Sequence, residues 1–277
     1  MKYALCNELF GTLSLEESCA LASRYGFKGM ELAPYTLAET PRLLGSERRR
    51  EIGKIISDSG MAFVGLHWLL KAPKGLHLTT PDTEIREKSW DLMKYLIDFC
   101  AELGGGVMVL GSGNNRNAVG IPAEKAVSYL KEGLTTLAPF AETGDTKILL
   151  EPLTDKMTNV MNTLQEVRDL VCEIDHPAIS SMLDFHNSID ETSPWPALIN
   201  RFIDIIQHVH LNEVDGGYPG SGRSDFFPSF QALKRNRYSG WISVEVFDQR
   251  VSPETMLRET RHVIGKIEER LEENHPS

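Results

Sequence analysis

Eight short β-rich runs, each followed by a longer stretch of helical period, succeed one another from end to end of this chain. They are YALCNE (3–8), GMELAP (29–34), AFVGLHW (62–68), VMVLGS (107–112), KILLEP (147–152), SSMLDF (180–185), HVHLNE (208–213) and WISVEVF (241–247). Strands alternating with helices read as a parallel sheet, because a parallel connection must travel back along the sheet and does so as a crossover helix. The 277 residues divided among eight units leave about 35 for each, close to what a strand, loop and helix need. The runs are apolar on both faces and no long linker separates them, so the expectation is an α/β fold, a single (β/α)8 TIM barrel, with residues 1–277 as one domain. An open doubly wound sheet would want a phosphate fingerprint after a strand. The segment GSGNNRNAVG (111–120) is glycine-rich but lacks that spacing, and it reads as an active-site loop.

Helix punctuation keeps the same period. Ser14-Leu-Glu-Glu17 reads as a capping box, while Pro81, Pro122, Pro194 and Pro253 stand where a first helical turn should begin. Gly26, Gly60, Gly104 and Gly240 precede the next strand, as left-handed helix terminators do.

Composition removes several function classes. With 29 basic against 39 acidic residues the formal charge is −10, which repels a phosphate backbone and argues against nucleic acid as a partner. The one basic stretch, RLLGSERRREIGK (42–54), reads as the solvated face of a helix. No run approaches the roughly 18 apolar residues of a membrane span. MKYALCNELFGTLSLEES at the start has no long apolar segment of a signal peptide, so no membrane partner and a cytoplasmic location are expected. Cys6, Cys19, Cys100 and Cys172 form no CxxC pair and read as buried free thiols.

Four polar residues interrupt the last apolar runs: Glu151, Asp184, His210 and Glu245, separated by 33, 26 and 35 residues. Successive strands would deliver them to one end of the barrel, the end where barrel active sites lie. Each alone reads as a loop cap, a surface ion-pair partner or a satisfied core histidine. Three carboxylates brought together are costly without a positive charge, so four in register read as a metal site for one divalent ion. Three oxygen donors and one imidazole suit Mn²⁺ first, with Mg²⁺ and Co²⁺ close behind and Zn²⁺ less so.

Other candidates come from barrel position. His67 ends the third run and is either a site residue or a packed core histidine; Glu31 and Glu8 end the second and first and would bind substrate hydroxyls or cap loops. Glu213 would orient the site, and Arg116 in the glycine-rich loop would bind an anionic group or lie in solvent. Trp68 and Phe247 would stack on the apolar face of a substrate or simply pack.

HLNEVDGGYPGSG (210–222), with the contexts of Glu151, Asp184 and Glu245, resembles the D-tagatose/D-psicose 3-epimerases of the xylose-isomerase-like TIM-barrel superfamily. The resemblance is specific over 146–247; earlier it is carried mainly by LIDFCAELGGGVMV (96–109) and the order of elements. It implies that Glu151, Asp184, His210 and Glu245 hold one divalent metal, with Glu151 and Glu245 also serving as acid and base. The chain departs from that pattern at Met157, where the epimerases carry a glutamate, and at Gly216, where they carry an arginine. Their substrate-binding histidine lies three residues after the metal aspartate, whereas His186 lies two after Asp184. A one-residue deletion in the loop would keep His186 in that role; alternation would otherwise turn it away.

The chemistry agrees with this expectation. A metal on the substrate oxygens stabilises an enediolate, and a carboxylate on each side of the carbon can remove the proton from one face and return it to the other. Return to the neighbouring carbon gives aldose–ketose isomerisation instead. The expected function is thus a metal-dependent sugar (ketose) isomerase or epimerase with a small-molecule sugar substrate, and a homo-oligomer is compatible with it. Alternatives are a metal-dependent lyase of the inosose or dehydroshikimate dehydratase type, which expels a β-hydroxyl, and a non-catalytic metal- or sugar-binding protein. GGYPGSGR (216–223) permits a phosphate cradle without establishing one.

Overall fold

The computed structural model describes residues 1–247 and 250–273. Eight parallel strands pair in sequence order and the last closes on the first: β1 (Lys2–Cys6), β2 (Gly29–Leu32), β3 (Ala62–Leu66), β4 (Gly106–Leu110), β5 (Thr146–Leu150), β6 (Ile179–Asp184), β7 (Ile206–Leu211) and β8 (Trp241–Val244). Between and after them run α1 (Leu15–Arg24), α2 (Ser46–Asp58), α3 (Thr83–Glu102), α4 (Ala123–Thr143), α5 (Leu164–Ile174), α6 (Trp195–Phe202), α7 (Phe227–Arg235) and α8 (Pro253–Glu273). This is the single (β/α)8 barrel that the alternation implied. None of the helices among the described residues is long and apolar enough to cross a membrane.

Period-two alternation divides the strands between two environments. Leu5, Met30, Leu66, Ile148 and Leu150 belong to one large cluster with helix residues such as Ile52, Leu96 and Val167. Val109, Leu149 and Met182 form a separate small cluster inside the barrel. Leu149 is two residues before Glu151 and Met182 two before Asp184, so the polar residues stand on the same face, one layer nearer the C-terminal rim. Gly65 is required by strand packing, since a Cβ there would lie 2.0 Å from the Val107 carbonyl oxygen.

The expected punctuation holds with adjustments. Ser14 and Glu17 form the reciprocal capping box. Asp82 caps α3 with Pro81 just ahead of it, Pro122 and Pro194 are themselves the capping residues, and Pro253 opens α8. Gly26, Gly60 and Gly104 take positive φ, but Gly240 does not; Arg237 (φ 55) makes that left-handed turn instead. Gly240 is small for another reason, as a Cβ there would stand 2.6 Å from the Gln207 carbonyl oxygen. The basic stretch is a solvated helix face except at Arg49, which is buried and pairs with Glu102 at 2.9 Å. Cys6, Cys19 and Cys100 are buried free thiols, whereas Cys172 is exposed on α5.

Candidate active site

The ends of β5 to β8 bring Glu151, Asp184, His210 and Glu245 together, all buried, with one donor atom from each within 4.8 Å of the others. Ligands of a small divalent cation stand about 2.1 Å from it and so within about 4.2 Å of one another across it, a spread this cluster approaches. His210 is aimed by its two nitrogens. Nε2 lies 3.1 Å from Glu31 Oε1 and donates its proton there, which aims Nδ1 into the cluster, 3.0 Å from Glu245 Oε2 and 3.6 Å from Asp184 Oδ2. Nδ1 is a buried nitrogen with no hydrogen-bond partner, which fits a ligand to a cation.

Asparagines orient the carboxylates. The Asn187 amide donates to Asp184 Oδ1 at 2.7 Å and its Nδ2 to Glu151 Oε1 at 2.9 Å; Asn212 Nδ2 donates to Asp184 Oδ2 at 3.1 Å. Gly111, just past β4, is glycine because a Cβ would lie 2.2 Å from Glu151 Oε2.

The electrostatics show what the cluster lacks. Burial, then Asp184 and Glu245, push Glu151 up to about 8, and burial also raises Asp184. Burial works against charge on Glu245, but His210 and His67 outweigh it and hold that carboxylate well below its usual range. His210 is raised well above an ordinary imidazole, because Glu245 and Glu31 overcome the opposing effect of burial. The protein alone balances these carboxylates with protons on Glu151 and His210. A divalent cation supplies the same positive charge without them, so the donor set fits such an ion.

His67 lies between two carboxylates, with Nε2 2.9 Å from Glu8 Oε2 and Nδ1 3.3 Å from Glu245 Oε1. It therefore joins the site instead of merely packing. Burial opposes its charge, but Cys6 and Glu8 raise it well above the ordinary value. Glu31 neither caps a loop nor faces a substrate: fully buried, it accepts from His208 Nε2 at 2.8 Å and from His210. Burial would raise Glu31, but the two imidazoles hold it well below the usual carboxylate range.

A cleft of about 130 Å³ opens over this cluster, bounded by His67, Trp68, Glu151, Met157, Asn187 and Phe247 among others. Three expected substrate contacts lie outside its lining. His186 turns away: its Nδ1 is 2.7 Å from the Val214 carbonyl oxygen and its ring leans on Phe247, 5.2 Å between centroids. The reason is local, since the chain leaves β6 in a turn closed by Asn187 N and Ser188 N on Asp184, which points Asn187 into the cleft. Arg116 is neither solvated nor facing a ligand; it is fully buried and donates to the Glu151 carbonyl oxygen at 2.6 Å, its guanidinium lowered by burial to about 10. Glu213 accepts the amides of Gly220 (3.0 Å) and Ser224 (3.1 Å), so it ties the loop after β7 to itself.

Sequence reasoning missed Asn187, Asn212, Gly111 and His208. The alternation of QHVHLN places His208 on the His210 face and was a usable signal; the roles of the asparagines and of Gly111 depend on contacts across strands.

Comparison with known proteins agrees with this geometry. The family model described as xylose isomerase-like TIM barrel matches residues 19–267. A probable ketose 3-epimerase of Synechocystis sp. is 27% identical over 233 residues, 82% of this chain and 76% of that protein. The 3-dehydro-D-guloside 4-epimerase of Escherichia coli is 31% identical over 117 residues, 42% of this chain and 44% of that protein. Among solved structures, D-psicose 3-epimerase with D-tagatose from Clostridium cellulolyticum superposes with a TM-score of 0.84 at 20% identity, covering 98% of this chain and 99% of that one, a likeness of fold.

Proposed function

We propose that this chain, which belongs to the xylose isomerase-like TIM barrel family and is an enzyme of the isomerase class, is a divalent-metal-dependent sugar epimerase acting on a ketose at the carbon beside the carbonyl. The observation that carries the reading is the convergence of Glu151, Asp184, His210 and Glu245 beneath a cleft that both glutamates line. Glu151, Asp184, His210 and Glu245 would hold the ion, with Mn²⁺ favoured by the oxygen-rich donor set and Mg²⁺ or Co²⁺ as substitutes. Bound there, the ion neutralises the carboxylates and polarises the sugar oxygens, making the neighbouring C–H more acidic.

The chain's own groups do the rest. Glu245 Oε1 lies 3.3 Å from His67 Nδ1, and that imidazole fixes the carboxylate and favours its ionised form as a base. Asn187 Nδ2 donates to Glu151 Oε1, so Oε1 acts as acceptor and a proton on Glu151 resides on Oε2. One carboxylate removes the proton from one face of the carbon and the other returns a proton to the opposite face; in the reverse reaction they exchange roles. Val109 and Leu153 make part of the cleft apolar and limit water around the carbanion-like species.

The test is a panel of ketoses in deuterated water with Mn²⁺, Mg²⁺ or Co²⁺. Deuterium should enter at one carbon without loss of water, and Glu245→Gln should lower the exchange rate by at least about 10²-fold while circular dichroism stays unchanged. Appearance of a conjugated product would instead indicate a lyase. Tight ion and sugar binding without exchange would indicate a binding protein.

A further inference from the structure

Two chain segments give the cleft a polar wall: the turn after β3, which carries Trp68 and Lys71, and the short loop after β4, which carries Ser112, Asn114 and Asn115. Asn115 latches them together, its carbonyl oxygen accepting from the Leu78 amide at 2.6 Å and its Nδ2 donating to the Leu76 carbonyl oxygen at 2.8 Å. Lys71 is the one lysine or arginine on the lining, and its Nζ stands 4.9 Å from the centroid of a Trp68 ring. It forms no ion pair among the described residues. The carboxylates on the lining are Glu151 and Glu245, and both are spent in the four-residue cluster with His210. The wall therefore carries a positive charge that no carboxylate among the described residues neutralises, in a chain whose formal net charge is −10.

Ser112 adds a second unsatisfied group. Its Oγ is shut away from bulk solvent without a hydrogen-bond partner, and its backbone stands at φ 46, a left-handed conformation that serine rarely adopts. Strain of this kind persists where the surrounding structure enforces it, and it clusters where ligands are held. Asn114, exposed on the same loop, spends its side-chain amide on no other described residue. The glycine-rich loop after β7 is no rival site for an anion, because its Gly220 and Ser224 amides already donate to the Glu213 carboxylate. We propose that Lys71, Ser112 and Asn114 form a subsite for an anionic group, and that the substrate is a ketose carrying a carboxylate or phosphate away from its reacting carbon. The ammonium supplies the opposite charge, and the hydroxyl and amide donate charge-assisted hydrogen bonds to the same oxygens. At about 130 Å³ the cleft lies below the range of about 300–1,000 Å³ found for drug-sized ligands, so it suits one sugar unit with a compact charged end. This rests on the reading of the cleft floor as a proton-transfer site; the anionic group anchors the substrate and is not itself transformed.

The experiment compares D-fructose, D-fructuronate and D-fructose 6-phosphate, which differ only at the far carbon, on the Mn²⁺-loaded protein. Deuterium incorporation gives kcat/KM, and titration calorimetry gives affinity. One of the anionic ketoses should exceed D-fructose in kcat/KM by at least about tenfold, and the advantage should shrink as salt is added. Preference for the uronate assigns the subsite to a carboxylate, and preference for the phosphate assigns it to a phosphoryl group. Lys71→Met should shrink the ratio through a higher KM for the anionic ketose, and Lys71→Arg should retain part of it. Equal or better turnover of D-fructose, or a ratio unchanged in Lys71→Met, overturns the subsite while leaving the epimerase reading intact. Tighter binding of an anionic ketose without exchange keeps the subsite and overturns the proton-transfer reading; neither binding nor exchange with any of the three overturns both.

Discussion

Adding a single methyl group at Gly111 should disable this site without unfolding the barrel. The Cβ of Gly111→Ala would lie 2.2 Å from Glu151 Oε2, and Cβ contacts below 3.0 Å are essentially never seen. Reaching an ordinary 3.4 Å contact requires Glu151 Oε2 to retreat by about 1 Å. Gly111 is not among the positive-φ glycines, so alanine is not strained in its backbone, and the obstructing atom is the far end of a side chain. The fold should therefore lose little. A reacting group misplaced by about 1 Å forfeits roughly 10²-fold in rate, equivalent to about 3 kcal/mol of transition-state stabilisation. Gly45→Ala is the matched control, because nothing lies within 4 Å of its Cβ. The assay is deuterium exchange into a turned-over sugar, with Mn²⁺ affinity from titration calorimetry and melting temperature measured in parallel. Wild-type exchange and affinity in a folded Gly111→Ala protein would refute the assignment of Glu151 to ion binding and proton transfer.

Glu31→Gln should weaken Mn²⁺ binding by about 10- to 100-fold, because the carboxylate that accepts from His210 Nε2 and orients its Nδ1 would become a poorer acceptor; unchanged affinity would mean that His210 needs no such partner. Since Glu151 is pushed up to about 8 and His210 is raised well above an ordinary imidazole, Mn²⁺ binding at pH 7 should release protons from both, and affinity should keep rising with pH through 8; calorimetry in two buffers of different ionisation enthalpy measures it. The linkage has a definite sign. Glu151 and His210 bind protons more tightly folded than unfolded, so the melting temperature of the chelator-treated protein should fall as pH rises from about 5 to 8, with Mn²⁺ reversing the loss.

The metal quartet was legible in the chain because each of Glu151, Asp184, His210 and Glu245 is a polar residue inside an apolar strand run, and a parallel barrel delivers strand ends to one rim. Residues outside that register were harder to place. His186 and Asn187 are adjacent in a turn, and which of them faces the cleft is decided by the hydrogen bond from Asn187 N to Asp184 Oδ1. Arg116 looked like a loop cation, yet it is folded under β5 onto a carbonyl oxygen. Glu31 looked like a rim residue, yet it sits where two imidazoles from β7 reach across the barrel.

Period and polarity alone determined the eight-stranded architecture and the convergence of three carboxylates with one imidazole, since alternation and unit length act locally along the chain. Only the closed barrel decided which partners those residues meet. Asn187 on Glu151, His67 on Glu245 and Glu31 on His210 are contacts between residues 36, 178 and 179 positions apart, and closure places them within hydrogen-bonding reach.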